Sequence, residues 1–327
     1  GLSHTAWGTI YMLGTLGSAA LLPWSGKQID RLDLRHYTSI VFLMLIFSCL
    51  FMSQVAGPFT LIVAIFFLRQ SGQGLSSHIA VTSMVRYFDS GRGRALAIAS
   101  LGFAAGEAML PLVAVVAIAV LGWRWSYLAS AAFLAALLAP CAFVLLKGHA
   151  RRHRDHMKSL GEPRSSTRGP VSDWTRAQVL RDRRFYFMLP GILAPSLVIT
   201  AMFFHHLNLA DAKGWSHTWI TGSYFVFAAS TVVTALISGP LIDRFGATHL
   251  LRYMLMPLAL AMVAVAVFNG AWVVWLYLGL LGICIGFAHT AVAAMWAELY
   301  GVTHLGAIKS LAGALSEFSS ALGPVIM

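Results

Sequence analysis

Ser25-Gly26-Lys27-Gln28-Ile29-Asp30-Arg31 returns as Ser238-Gly239-Pro240-Leu241-Ile242-Asp243-Arg244, displaced by 213 positions. Working outward, Ser3-His4-Thr5 and Tyr11 return at the same displacement as Ser216-His217-Thr218 and Tyr224. Further along, His78, Ala80, Val81 and Met84 match His289, Ala291, Val292 and Met295 at a displacement of 211. Ala97, Ile98, Ser100, Leu101, Ala104 and Glu107 match Ala307, Ile308, Ser310, Leu311, Ala314 and Glu317 at 210. The drift of three residues places short insertions in connecting loops. A repeat this long in so apolar a chain predicts a duplicated membrane bundle.

Composition agrees. Hydrophobic residues make up 58% of the chain and charged residues 11%, and mean hydropathy is +0.74, so a water-soluble globule is excluded. Apolar stretches long enough for a hydrocarbon core of about 30 Å run near 4–24, 37–56, 59–85, 95–120, 123–147, 185–207, 217–238, 250–269, 271–297 and 305–327. Lipid offers backbone groups no partners and the stretches are too long for barrel strands, so they are predicted as helices. The expected fold is an all-α membrane protein of two pseudo-symmetric bundles, 1–147 and 185–327, joined by a basic linker over 148–184. A span precedes Ser216 but none precedes Ser3, and a span follows Glu107 but none follows Glu317. Ten of an expected twelve helices are therefore counted, with the first of one bundle and the last of the other missing.

The net charge of +11 is not a nucleic-acid footprint, because 20 of the 23 Lys and Arg fall in alternate loops on one side, counting Lys309 in the loop 298–309. That asymmetry predicts that both Asp-Arg loops and the linker face the cytoplasm. The linker's arginines suit anionic lipid headgroups. Cys49, Cys141 and Cys284 lie in apolar spans without metal or disulfide spacing and read as small core residues. His149, His153 and His156, with the pair His205-His206, fall on opposite sides of the membrane, so no metal site is expected and no cofactor is implied. Trp123, Trp125, Trp215, Trp219, Trp272 and Trp275 sit at outer span ends, as interface anchors do. Gly14, Gly17, Gly72, Gly74, Gly102, Gly106, Gly279, Gly282 and Gly286 fall at helical spacing and read as close-packing faces.

Gly26-x-x-x-Asp30-Arg31, with Arg35 following, and Gly239-x-x-x-Asp243-Arg244-x-Gly246 resemble the signature cytoplasmic loop of the major facilitator superfamily. Arg69-Gln70-x-Gly72-x-Gly74 resembles that superfamily's fourth-helix motif. Arg86-Tyr87-Phe88, Arg92-x-Arg94-Ala95, Gly102, Gly106 and Pro111 are most similar to its monocarboxylate-porter branch, which would make the present spans family helices two to eleven. The resemblance implies that Asp30 and Asp243 pair with cationic or helix-terminal groups and latch the cytoplasmic side. Two departures stand: 217–238 lacks the branch's Asp and Arg pair, and Glu107 follows Gly106 where an antiporter motif has a Gly-Pro step.

Arg69, Glu107 and Glu317 are the charges within spans, and such charges mark pathways or proton sites. Arg69 and Glu107 differ in depth by only ~5 Å at ~1.5 Å per residue, which predicts an ion pair, structural or substrate-orienting. Glu317 matches Glu107, but Leu280 stands where a second Arg69 would be, so Glu317 is the expected proton carrier with His289 as its neighbour. His78 and His289 read as relay, substrate donor or structural residues. The sequence thus predicts a monomeric secondary transporter moving a small organic anion by alternating access, coupled to protons, in the plasma (inner) membrane. A drug or metabolite efflux antiporter is the alternative. A membrane enzyme lacks a converging constellation here, and a channel would not need a duplicated latch.

Overall fold

The computed structural model of the protein describes residues 4–88, 91–149, 165–166, 169–170 and 173–326, without the side chains of a few helical positions that include Glu107. His153 and His156 lie outside the described residues, as does most of the linker. The first helices are α1 (His4–Ser25), continued by a 3-10 turn over Gly26–Asp30, and α2 (Leu34–Ser53). Next come α3 (Pro58–Leu68), a π-helical segment Arg69–Ser76 and α4 (Ser77–Tyr87), then α5 (Arg92–Leu121). The first half closes with α6 (Trp123–Phe133), a second π segment Leu134–Leu138 and α7 (Ala139–Leu145). Within the linker lies α8 (Arg176–Val179), and from its end follow α9 (Arg183–Phe204), α10 (His206–Lys213) and α11 (His217–Gly222). The chain continues through α12 (Tyr224–Phe245), α13 (Ala247–Leu251), α14 (Leu255–Val267), α15 (Val273–Tyr300) and α16 (Leu305–Ile326).

Every expected span coincides with a helix or a run of abutting helices. Asp33 and Asp182 start α2 and α9 as N-caps, accepting from Arg35 N–H and Arg184 N–H, and Ser216 caps α11 through Trp219 N–H. Among the described residues, six helical stretches are both long and apolar enough to cross a membrane. The others carry polar groups inside, such as Gln70, Ser71 and Gln73 in the π segment and Lys309 and Glu317 in α16, and polar residues at membrane depth are stable only against protein or water.

By contacts the chain forms two compact units. One comprises Gly1–Ser83, Leu112–Arg176 and Gly301–Phe318, and the other Met84–Pro111, Ala177–Tyr300 and Ser319–Met327. In the first, Ile10, Met52, Val55, Ala64 and Ile65 form a buried core, and a methyl on Gly14 would lie 2.7 Å from Ile65. In the second, Ile199, Leu258, Val274, Tyr277 and Leu281 are among the core residues. There Gly279, Gly282 and Gly286 of α15 bring its backbone against α12 at Val226, Phe227 and Thr231.

Four sequence expectations need correction. Gly102 has open space around it among the described residues, and Gly106 meets only Leu110 of its own helix, so neither is a packing glycine. Trp215 is 6% exposed and stacks inside on Tyr277, its indole N–H bonded to the Asn269 carbonyl, so it is core rather than anchor. Cys141 is exposed while Cys49 and Cys284 are buried. Lys309 belongs to α16 rather than to the preceding loop.

Candidate functional site

Gly26 and Asp30 are the first and last residues of the 3-10 turn that continues α1. The Asp30 carboxylate accepts from the N–H groups of Gly306 at 2.9 Å and Ala307 at 2.7 Å. Asp243, near the end of α12, does the same to Gly93 at 2.7 Å and Arg94 at 3.2 Å. In both cases the donors are the second and third residues of a helix. Such N–H groups lack intrahelical partners, and the helix dipole favours a carboxylate there. Gly91 and Gly301, with φ of 72° and 81°, turn the chain just upstream through the left-handed region that glycine adopts without strain.

The glycines of the two motifs set the approach. A methyl on Gly26 would overlap Ser310, and one on Gly239 would lie 2.8 Å from the Ala97 Cβ and 2.9 Å from the Gly93 carbonyl oxygen. Gly239→Val should therefore lower the thermal midpoint by several degrees in fluorescence-monitored unfolding, since overpacking costs about 1–3 kcal/mol. Gly102→Ala, with open space around it, is the matched control and should leave the midpoint unchanged or slightly raised. Arg31 and Arg35 are exposed, and Arg244 lies over the Phe245 ring at 5.3 Å. Arg94 places a cation beside Asp243, its Nε 3.9 Å from the carboxylate.

From the Asp30 contact, α16 runs antiparallel along α1. Gly306 meets Ile29 and Asp30, Ser310 meets Gly26, Gly313 approaches Leu22, and Glu317 reaches Ser18. The first three are small, which lets the backbones close up. Glu317, 7% exposed, ends this seam in a polar cluster. The Ser18 hydroxyl lies 3.3 Å from Glu317 Oε2 and 3.0 Å from Gln70 Oε1, and the Gln70 amide donates to Ser25 Oγ at 2.7 Å. Ser18 has one proton for two acceptors, so only one is served at a time. Gly74 leaves room for the carboxylate, since a methyl there would lie 3.4 Å from Glu317 Oε1.

Arg69 donates to Gln73 Oε1 and lies 5.3 Å from the Tyr11 ring centroid, and its backbone carbonyl and Glu317 Oε1 both border Gly74, 3.5 and 3.4 Å from where a methyl there would sit. The expectation that Glu317 has no cation is thus corrected: Arg69 supplies one from the π segment rather than from the position of Leu280. The side chain of Glu107 lies outside the described residues. His289 has its ring 5.8 Å from Phe103, whereas the hydrogen bond recorded for Glu317 is with Ser18. His78 Nε2–H donates to the Gly26 carbonyl at 3.0 Å, which ties it to the end of α1.

That end is held by further groups the sequence did not single out. Tyr37 O–H donates to the Ser25 carbonyl at 3.0 Å, and Arg176 to the Pro23 carbonyl at 2.8 Å. Asp173 accepts from Val302 and Thr303 N–H at 3.1 and 3.2 Å. Residues 173–176 therefore strap the end of α1 to the entry of α16. Among the described residues no cluster could hold a metal ion. His206, of the other histidine pair, lies 3.0 Å from the Tyr277 hydroxyl and stacks on Tyr224.

A sequence model of the major facilitator superfamily matches residues 1–324. The chain belongs to this superfamily. It is accordingly a secondary transporter and a multi-pass integral membrane protein, not an enzyme. No curated protein sequence matches it significantly. Among solved structures, the human organic anion transporter TETRAN is similar over 98% of this chain and 76% of its own, with a TM-score of 0.71 and 16% identity. At that identity the likeness is one of major facilitator fold.

Proposed function

We propose that this major facilitator carries a small organic anion together with protons by alternating access, with Glu317 loading the proton. The observation that carries the reading is a buried carboxylate sharing one hydroxyl proton with Gln70. When Glu317 is ionised, the Ser18 O–H serves it and Arg69 opposes its charge. When Glu317 takes a proton, its own O–H donates to Ser18 Oγ, and Ser18 turns its proton to Gln70. Both states keep the carboxyl satisfied, so loading does not leave a buried polar group unpaired. Arg69 is left with Gln73 and Tyr11 in the protonated state. His289 and Glu107 are further candidates for the pathway. Organic anion transport by TETRAN on this fold supports the substrate class, and the Arg86 to Pro111 pattern supports the monocarboxylate-porter branch. The protein works as a monomer of two rocking bundles, 1–147 and 185–327, in the plasma (inner) membrane, its linker on anionic headgroups.

Proteoliposome uptake of labelled carboxylates, amino acids and sugars, with and without an inward proton gradient, tests this. Carboxylates alone should accumulate, and only with the gradient; gradient-driven efflux of apolar cations would favour the drug antiporter instead. Orientation has its own check. Single cysteines at Lys27 and Lys213 should react with an impermeant maleimide from opposite faces, Lys27 from the cytoplasm; reaction from one face would overturn the orientation.

A further inference from the structure

Lys309 is the odd group of α16. Its Nζ is shut off from solvent and makes no hydrogen bond among the described residues. An ammonium carries three donors and no acceptor, and its burial is strongly unfavourable unless an anion or several acceptors meet it. Its neighbouring carboxylates are committed. Asp30 and Asp173 accept from backbone N–H groups, and Glu317 lies two turns on, ~12 Å along the axis at ~1.5 Å per residue, against Ser18. At ~100° per residue Lys309 falls on the flank of the seam formed by Gly306, Ser310, Gly313 and Glu317, on the same side as Ser316 and Ser320. It therefore stands beside the α1 contact rather than in it, and the packing of the two helices does not need its charge.

We infer that Lys309 is a substrate-binding residue whose ammonium takes the carboxylate group of the transported solute. This deepens the organic-anion reading and rests on it. The charge has a point-like, three-donor geometry, which suits a carboxylate approached from any side more than a planar bidentate partner. Ser316 continues the same strip of α16 deeper into the span, offering a hydroxyl to the rest of the solute.

The test is the thermal midpoint of the purified protein in detergent, titrated with lactate, benzoate, succinate and citrate at constant ionic strength. At least one should raise the wild-type midpoint saturably. Lys309→Met should raise the midpoint without added anion, because a buried charge has gone, yet shift the half-saturating concentration upward at least tenfold. A merely structural lysine would not give that opposition. Lys309→Arg should keep a saturable response, and Lys309→Gln serves in place of the Met variant if that does not fold. A half-saturating concentration within twofold of wild type in the neutral variant overturns the inference. So does a wild type that none of the four anions stabilises, or one stabilised by phosphatidylglycerol micelles alone, which would make the ion a lipid headgroup. Saturable binding lost in Lys309→Met but with uptake indifferent to pH would sink the proton reading and leave Lys309 standing. Gradient-driven uptake unaltered in Lys309→Met would do the reverse.

Discussion

In proteoliposomes, Glu317→Gln should hold substrate at the equilibrium level under the inward proton gradient proposed to drive accumulation in the wild type, while counterflow continues. A one-unit pH gradient is worth about 1.4 kcal/mol per proton, or about tenfold accumulation at one proton per substrate. The variant should lose all of that factor. Gln keeps the size of the protonated side chain and can hydrogen-bond Ser18, so the polar cluster stays satisfied. Arg69 retains Gln73 and Tyr11, which is why substrate exchange survives. Undiminished gradient-driven accumulation in Glu317→Gln would remove the carboxyl from the coupling and turn attention to His289 or Glu107.

The second large effect lies at the latches. Asp30→Ala and Asp243→Ala each delete a carboxylate that accepts two backbone N–H groups at a helix start. Caps and charges of this kind contribute about 1–2 kcal/mol, so each deletion should shift the closed-to-open ratio of the cytoplasmic side by roughly 5–30-fold. Ser310 and Ser100, 1% and 5% exposed and equivalent in the repeat, report on the two contacts separately. Cysteines there should react slowly with a cytoplasmic maleimide in the parent and faster by that factor in the matching Asp variant. The backbone donors of the two carboxylates are different residues, so the effects should add in the double variant. Unchanged labelling would show that the Asp contacts do not hold the gate.

Much of this was legible because it is local or repeated. The ten spans follow from hydropathy, and Gly26-x-x-x-Asp30 puts a small residue and a carboxylate on one face a turn apart, the minimum needed to clasp a neighbouring helix. What the repeat could not supply was contact across long sequence separations. Ser18 and Glu317 are 299 residues apart, and no periodicity in α1 marks Ser18 as the partner. Searching for a cation at Leu280 assumed that the two halves solve the same problem in the same place; the π segment instead presents Arg69. Depth along the membrane suggested Arg69 with Glu107, but depth fixes one coordinate of three. In the sequence Lys309 is one positive charge in a string that reads as topogenic, and only its enclosed Nζ sets it apart.

The two Asp carboxylates grip main chain: each accepts two backbone N–H groups at the start of a helix. Any residue except proline presents the N–H groups that Asp30 and Asp243 accept from, and the structure already uses a Gly-Ala pair on one side and a Gly-Arg pair on the other. Selection therefore has little to act on at Arg94 and Ala307 so far as the clasp is concerned. Close relatives should drift freely there, with proline alone forbidden, while Asp30, Asp243 and the glycines facing them stay fixed. A saturation library scored for function should show the same split: narrow columns at Asp30, Asp243, Gly93 and Gly306, where any side chain on either glycine would collide with the clasp, and broad ones at Arg94 and Ala307.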